Sequence, residues 1–438
     1  MTSEIAILNK EAVALAADSA VTIHSQDNKK RIPKIYNTIN KLFALSKYHP
    51  VGIMVFGNAN LLGIPWESII KVYREDLKDK SFKSLSDYGN DFINFLNSSN
   101  LFSKESQESY FKTTIFIYYH SVILEEINKK IRNEIEENKE ITEKEIKNVI
   151  SKIVNSNYNY LVKKKFVKGF SKVFINKFIQ YNSEFLNKAI LDVFKKLPLT
   201  NSIKEKLIQI AGLLFSKEIF PTGASGLVIA GFGKNDIFPT LIEYKIETII
   251  NNKLKYKEET KNTISLNQTA IIHPFAQTEM VYTFIEGVDP VYEIVIKSYL
   301  EELFNKYPEV IIDTINSLSK KSRNNFLENL KKAGKKLLSE FQKEMDNYKN
   351  ENHISPILDS VATLPKPELA EMAEALVSLT SFKRRVSQDA ETVGGPIDVA
   401  IISKGDGFIW IKRKQYFNLD LNYHFIKKLS WSKEGENK

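Results

Sequence analysis

Short apolar runs separated by polar residues come first in the chain, at residues 5–8, 12–17, 41–46 and 51–56. Runs of this length around polar turns predict two β-hairpins, and Gly57 interrupts the chain directly after the last run. Apolar positions then recur with a helical period over residues 61–79 and 85–96. The first hundred residues therefore predict strand pairs followed by helices.

Residues 101–215 differ in composition from what precedes them. They are rich in Lys, Glu, Asn, Ile and Phe, contain little Gly or Pro, and have a helical period in several segments. Residues 125–152 are highly charged and predict one long exposed helix. We expect this region to be a helical insertion into the strand-rich core.

Strand character returns at residues 223–233, which are expected to pair with residues 236–247 through a turn at Gly233. A phosphate-binding loop is the alternative for these glycines, but they do not open a helix, which favours the turn. A short strand is expected at 269–272, with helices at 275–287 and 291–307.

Residues 308–352 combine many lysines with an apolar stripe, formed by Phe326, Leu330, Leu337, Phe341 and Met345. A basic amphipathic helix is typical of membrane or nucleic-acid binding, but an ordinary surface helix is the interpretation we favour. A helix starting near Pro365, a segment at 389–402 and a strand at 408–413 complete the pattern, with two closing strands expected after the helix. The alternation of strand doublets with helices predicts two antiparallel sheets.

Composition narrows the function classes. The 438 residues are 43% hydrophobic, which argues against global disorder, and they include no Cys, which excludes disulfides and thiol catalysis. The six His residues show no metal-binding spacing. The net charge of +9 lies mostly in residues 158–206, where eleven Lys face three acidic residues. Because we find neither a signal peptide nor a membrane-spanning run, we expect a cytoplasmic protein.

Thr2 is the first candidate for chemistry. It follows Met1, and Thr is small enough for routine removal of the initiator Met. Such removal would leave a free α-amine and a hydroxyl on one residue. An amine with a pKa of about 7.7–8.0 acts as a general base at neutral pH, so this threonine would carry its own proton acceptor. Asp18 ends the second run of the hairpin, which returns it towards Thr2.

Thr2 and the segment from Ala16 to Thr22, Ala-Ala-Asp-Ser-Ala-Val-Thr, resemble the start of proteasome β subunits and of the bacterial HslV peptidase. Those proteins are N-terminal-nucleophile (Ntn) hydrolases, and their Thr–Asp spacing of sixteen residues is met here. The resemblance extends over about residues 2–97, 223–300 and 360–415. It implies an α+β fold, namely a four-layer α/β/β/α Ntn-hydrolase sandwich with two helical insertions.

The resemblance also implies the main site residues. Thr2 would be the nucleophile, Asp18 and Lys41 would lie beside it, and the Gly57 N–H would bind the oxyanion. A cationic Lys41 would lower the cost of the developing alkoxide, with Asp18 as its counter-charge. Lys34 and Lys47 are rivals for this role, but Lys41 alone directly opens a strand run.

The supporting residues fit the family less closely. The family's Asp-x-x-Ser before Gly-Gly is one residue longer here, so that Asp389 is expected to take the carboxylate role and Thr392 the hydroxyl role. Glu391 is an alternative to Asp389 for the carboxylate role. Residues 273–278 replace a small Gly/Ser segment of the family, and either Gln277 or Thr278 is expected to supply the hydrogen bond that this segment makes at the site.

The expected activity is that of a threonine hydrolase cleaving a peptide or another amide, with no cofactor and no metal. The substrate backbone is expected to pair with two strand edges, Ala20-Val21-Thr22 and Asn58-Ala59. A small-molecule Ntn amidohydrolase is an alternative. A non-catalytic, proteasome-like scaffold subunit is another, and the joint presence of Thr2, Asp18, Lys41 and Gly57 disfavours it.

The expected partners are other copies of the chain, with an ATPase or an acidic protein as further candidates and no membrane. Nucleic acid is disfavoured because Phe166, Phe170, Phe174 and Phe178 recur every four residues, as in a core-facing stripe. Family members form closed rings. The charge of +8 over residues 158–206 would make adjacent inserts repel each other. We therefore expect either an assembly smaller than a double ring or a ring whose inserts point outward.

These expectations divide the chain into six parts. Residues 1–100, 216–303 and 353–415 form the Ntn-hydrolase core, the last with its C-terminal helix and closing strands. Residues 101–215 form a helical insertion and residues 304–352 a basic helical insertion. Residues 416–438 form a C-terminal tail.

Overall fold

The computed structural model describes residues 3–23, 34–138, 140–315, 320–387, 393–415, 417–418 and 420–424. Within them the strands are β1 (Ser3–Asn9), β2 (Ala12–Ala17), β3 (Val21–Ile23), β4 (Lys34–Tyr36), β5 (Leu42–Ala44), β6 (Val51–Phe56), β7 (Asn60–Leu61), β8 (Ile64–Pro65), β9 (Ser225–Gly231), β10 (Thr240–Ile250), β11 (Lys253–Thr263), β12 (Ala270–Ala276), β13 (Asp398–Ser403) and β14 (Gly407–Lys412).

The helices are α1 (Trp66–Leu77), α2 (Leu85–Ser98), α3 (Lys104–Ile117), α4 (Glu125–Asn138), α5 (Glu143–Lys163), α6 (Lys172–Tyr181), α7 (Ser183–Phe194), α8 (Asn201–Ser216), α9 (Glu279–Glu286), α10 (Pro290–Thr314), α11 (Lys320–Lys349), α12 (Ser355–Val361) and α13 (Lys366–Val386). Two π-helical turns, Tyr118–Leu124 and Asn350–Ile354, connect α3 to α4 and α11 to α12.

Two five-stranded sheets form the centre of the structure. The first has the order β12-β1-β2-β13-β14 and the second has the order β11-β10-β9-β6-β5. Every pairing within them is antiparallel. The predicted α+β class with antiparallel sheets is therefore confirmed.

The two sheets share one apolar cluster. Ala6, Leu8 and Leu15 of the first sheet pack in it with Met54 and Val228 of the second. The sheets approach closely at Gly52, where an added Cβ would lie 2.7 Å from the Ile402 side chain. Side chains alternate along a strand, so one face of each sheet is directed at the other sheet.

Helices cover the remaining face of each sheet. Ile5 and Ile7 of β1 pack in a cluster with Leu369 and Leu376 of α13. On the second sheet, strands β6 and β9 contribute Ile53 and Ile229 to a cluster with residues of α1 and α2, which include Ile69, Tyr73 and Phe92. Both sheets are thus buried on two faces, which explains why β1 and β2 consist almost entirely of buried residues.

Helices α3 to α8 have a hydrophobic cluster of their own. Phe170 and Phe178 are buried, and Phe166 and Phe174 pack against the cluster. Their recurrence every four residues predicted such a core-facing stripe. A buried lysine of the second sheet contacts both an acid of that sheet and the backbone at the end of this helical region. Lys255 Nζ of β11 lies 2.6 Å from Glu247 Oε2 of β10 and donates to the backbone oxygens of Leu214 and Ile219.

Three details of the predicted elements were wrong. Residues 125–152 do not form one helix, because Thr142 starts α5 with a capping box shared with Glu145. A helix does not begin at Phe275, because β12 continues its pairing with β1 to Ala276. The helix expected from residue 61 begins at Trp66, after the small β7–β8 hairpin. The six-part domain division stays a prediction.

Candidate active site

The β1–β2 hairpin brings Asp18 beside Ser3. The Asp18 N–H donates to the Ser3 carbonyl oxygen at 3.1 Å, and the Ser3 N–H donates to Asp18 Oδ1 at 3.0 Å. Both residues are buried. The turn between the two strands fixes their register, because Asn9 Oδ1 accepts hydrogen bonds from the N–H groups of Glu11 and Ala12. The carboxylate is therefore held at the first described residue of the chain.

Lys41 reaches the same carboxylate from the second sheet. It immediately precedes β5, and its carbonyl oxygen accepts a hydrogen bond from the Val55 N–H at 2.9 Å. Its Nζ lies 2.5 Å from Asp18 Oδ1 and 3.4 Å from Glu4 Oε1. The Lys41 side chain is only 4% exposed. A cation buried this deeply needs compensating negative charge, which Asp18 and Glu4 supply.

Backbone donors bind the other oxygen of Asp18. The Gly394 N–H donates to Oδ2 at 2.9 Å, and the Ala20 N–H donates to the same atom at 3.2 Å. Ser19 strengthens the contact with the Gly394 segment, because its N–H donates to the Gly394 carbonyl oxygen at 3.1 Å. Donors from four parts of the chain therefore fix the orientation of the Asp18 carboxylate.

A cleft of about 660 Å³ opens beside this cluster. Its lining includes Lys41, Gly57, Asn58, Trp66 and Glu67. A smaller cavity of about 340 Å³ lies between the helical region and the β10–β11 turn, lined by Lys104, Glu108 and Lys177 among others. Of these two cavities, the 660 Å³ cleft is the one lined by a member of the buried Lys41–Asp18 pair, which makes it the candidate active site.

The backbone turn after β6 forms one wall of the cleft. Gly57 has a φ of +78°, and an added Cβ would lie 2.5 Å from the Ala224 carbonyl oxygen. Ser225 holds the next residue, since its Oγ donates to the Asn58 carbonyl oxygen at 3.0 Å and accepts from Trp66 Nε1 at 2.9 Å. The turn is therefore fixed in a conformation that favours glycine.

The structure brings together part of the predicted site. Asp18 and Lys41 are in contact, and Val21, Asn58 and Ala59 line the cleft with Gly57. Lys47, the rival of Lys41, is exposed, and the side chain of the other rival, Lys34, is outside the description. Thr2, Asp389, Glu391 and Thr392 lie outside the described residues.

The remaining predicted positions have other bonding partners. The Ala20 N–H is bonded to Asp18, and Thr22 pairs with Ile35 in the β3–β4 hairpin, with its side chain undescribed. Gln277 is buried and accepts a hydrogen bond from Arg384. Thr278 stands at the start of α9 and makes no side-chain capping bond.

Two residues of the cluster were missed from the sequence. Glu4 occupies the β1 face that also carries Ala6 and Leu8, and an acid on a face directed at another sheet requires a cationic neighbour. That pattern was visible in the sequence. The Gly394 N–H was not, because nothing local shows which backbone group will meet Asp18 across 376 positions.

No group of His, Asp or Glu that could hold a metal ion occurs within the part of the chain that the structure describes. The described helices also include none that is long and apolar enough to cross a membrane. Comparison with family models gives no match, and neither does comparison with curated protein sequences.

Proposed function

We propose that the chain is a cytoplasmic threonine hydrolase of the Ntn type, which cleaves a peptide or another amide bond with Thr2 as its N-terminal nucleophile. One observation carries the proposal: the buried Lys41 ammonium at 2.5 Å from Asp18 Oδ1, beside a cleft that Gly57 also lines. A cation buried at the edge of a cleft is costly to maintain, so it marks a candidate functional site.

The fold supports the proposal. Two antiparallel sheets share one core, and helices cover their outer faces. We interpret this packing as the four-layer α/β/β/α sandwich that the resemblance to proteasome β subunits implies. In that interpretation α3 to α8 and the α10–α11 region are helical additions to the core.

The position of Ser3 supports the identity of the nucleophile. Its N–H donates to Asp18 Oδ1, the oxygen that also contacts Lys41. The residue bonded to that nitrogen is Thr2. An ammonium next to a hydroxyl lowers the energy of the alkoxide that forms when the hydroxyl attacks, and this is the role we assign to Lys41.

The proposed reaction has two steps. Thr2 Oγ attacks the amide carbon while the Thr2 α-amine accepts the hydroxyl proton. The Gly57 N–H stabilises the oxyanion, the C–N bond breaks, and the leaving amine takes the proton from the α-ammonium. Water then attacks the ester carbon, its proton passes to the α-amine, and Thr2 Oγ is released with a proton as the acid product leaves.

Replacing Thr2 by Ala tests the proposal. Amide hydrolysis of a fluorogenic peptide panel should disappear in Thr2→Ala and persist at a reduced rate in Thr2→Ser. Lys41→Ala should lower the rate at least about 10²-fold, as for loss of a key electrostatic group. Lys47→Ala is the matched control, since Lys47 is exposed and six positions away. Full turnover in a folded Thr2→Ala variant would show that the chemistry lies elsewhere.

A further inference from the structure

Helices α10 and α11 form an antiparallel hairpin. Lys331 contacts Glu309 at 2.6 Å near the connection, and Lys349 contacts Glu293 at 3.0 Å at the opposite end. Between these ion pairs Gly334 lets the helices approach, because an added Cβ would lie 3.3 Å from the Phe304 ring. The inner faces of the two helices are thus already used for contact with each other.

A second apolar stripe runs along α10, away from this contact. Its side chains are large and 38–71% exposed, and they recur every three or four residues: Tyr292, Ile296, Tyr299, Leu303, Tyr307 and Val310. Residues on the contact side, such as Pro308 and Ile312, are buried. An exposed stripe of this length exceeds the scattered apolar residues of an ordinary surface helix.

Helix α11 carries a matching stripe, formed by Phe326, Leu337, Phe341, Met345 and Tyr348, each 40–57% exposed. Because the helices are antiparallel, the helical period places both stripes on the same side of the hairpin. Together they form one surface, which we name the hairpin apolar face. It spans about 30 Å by roughly 20 Å, given a rise of 1.5 Å per residue and helices of about 10 Å diameter.

The net charges of the two helices indicate which kind of partner can bind this face. Helix α10 carries five acidic residues and two Lys, a net charge of −3, whereas α11 carries nine basic and four acidic residues, a net charge of +5. An anionic lipid surface or a nucleic acid would attract α11 and repel α10. A second hairpin of the same kind satisfies both helices, since α10 of each copy can lie on α11 of the other.

We propose that the hairpin apolar face binds a second copy of this chain, so that two hairpins form a four-helix bundle about a twofold axis. The contact is isologous, because both copies use the same surface. The dimensions above give roughly 600 Å² per copy, or about 1,200 Å² in total, which is the lower end of the size range of specific, stable interfaces. The tyrosines suit this use, since Tyr is enriched in interface cores.

Sedimentation of the full chain tests this interface independently of any enzymatic activity. The unmodified chain should be a dimer, or an even-numbered assembly, at micromolar concentration. Tyr299→Glu with Leu303→Glu should shift it to half that mass with an unchanged circular dichroism spectrum. Asn305→Glu is the matched control and should leave the mass unchanged, because Asn305 is exposed and lies on the side of α10 opposite the stripe. A monomeric unmodified chain, or an assembly that survives the double substitution, would overturn the proposal.

Cross-linking tests the pairing of α10 with α11. The chain has no Cys, so single cysteines at Leu303 and Leu337 are the only thiols in each variant. A short bis-maleimide should join Leu303→Cys to Leu337→Cys in a mixture more than either variant to itself. Self-linking of Leu303→Cys alone would contradict this arrangement. Binding of a monomeric chain to anionic lipid vesicles, lost in the double Glu variant, would assign the face to lipid instead.

Discussion

Lys41 Nζ lies 2.5 Å from Asp18 Oδ1, although the two residues adjoin strands of different sheets of the core. Asp18 follows β2 of the first sheet, and Lys41 precedes β5 of the second. The ion pair therefore bridges the two sheets at one end of their shared apolar cluster. Any change in it should affect both the chemistry of the cleft and the stability of the core.

Asp18→Asn should destabilise the protein and remove activity. The substitution leaves the buried Lys41 ammonium with Glu4 as its nearest acid, and breaking a buried pair in this way typically costs about 3 kcal/mol or more. Urea denaturation measures the loss. Glu108→Gln is the control, because the Glu108–Lys112 pair is exposed and should contribute less than about 1 kcal/mol. Equal effects of the two substitutions would argue against a compensating role for Asp18.

Gly57→Ala should reduce both stability and turnover. A left-handed conformation costs a non-glycine residue about 1–2 kcal/mol, and the contact with the Ala224 carbonyl oxygen adds to this. Displacement of the turn should lower kcat by about 10²-fold, as for loss of an oxyanion donor. Gly63→Ala is a close control, since Gly63 also has a positive φ but its added Cβ would meet nothing within 4 Å. A Gly57→Ala variant that matches it in stability and kcat would contradict the account.

The helical region should lose stability at alkaline pH. Burial raises the pKa of Tyr119 well above its usual value of about 10, and that of Tyr118 to about 12. A raised folded-state pKa gives a contribution that is complete below pH 10 and is lost as the pH rises through the folded value. Circular dichroism at 222 nm between pH 8 and 12 should follow this loss.

Tyr119→Phe should flatten that alkaline profile. It also removes the hydrogen bond from Tyr119 Oη to the Leu207 carbonyl oxygen, at a cost of about 1 kcal/mol at pH 7. Tyr181→Phe is the control, because Tyr181 is 70% exposed. Profiles that coincide for Tyr119→Phe and Tyr181→Phe would show that buried Tyr119 does not control the transition.

Much of the core was predictable from the sequence because its strands are continuous apolar runs. β1, β2, β6 and β9 are buried on both faces, and their boundaries agree closely with the pattern. β11 was missed because it lies at a sheet edge. It carries Lys, Glu and Thr over most of its length and needs only a few buried side chains, such as Leu254.

The site was predictable only where local pattern sufficed. The hairpin explains why Asp18 lies beside Ser3, and the strand opening at Lys41 pointed to a lysine that contacts Asp18. The contact between Asp18 and Gly394 depends on how the closing strands pack against β2, which a local pattern does not contain. The exposure of the α10 stripe could not be predicted from the sequence either, because its apolar period is the same as that of a helix that packs on a core.

The most direct test of the central claim is to identify the residue that an electrophile acylates. The full-length protein would be treated with a β-lactone, which acylates a nucleophilic hydroxyl by ring opening, then digested and analysed by mass spectrometry. We expect one adduct on Thr2, in a peptide that lacks Met1, and strongly reduced labelling in Lys41→Ala. An N-terminal peptide that retains Met1, or an adduct on another residue while Thr2 stays unmodified, would contradict the account.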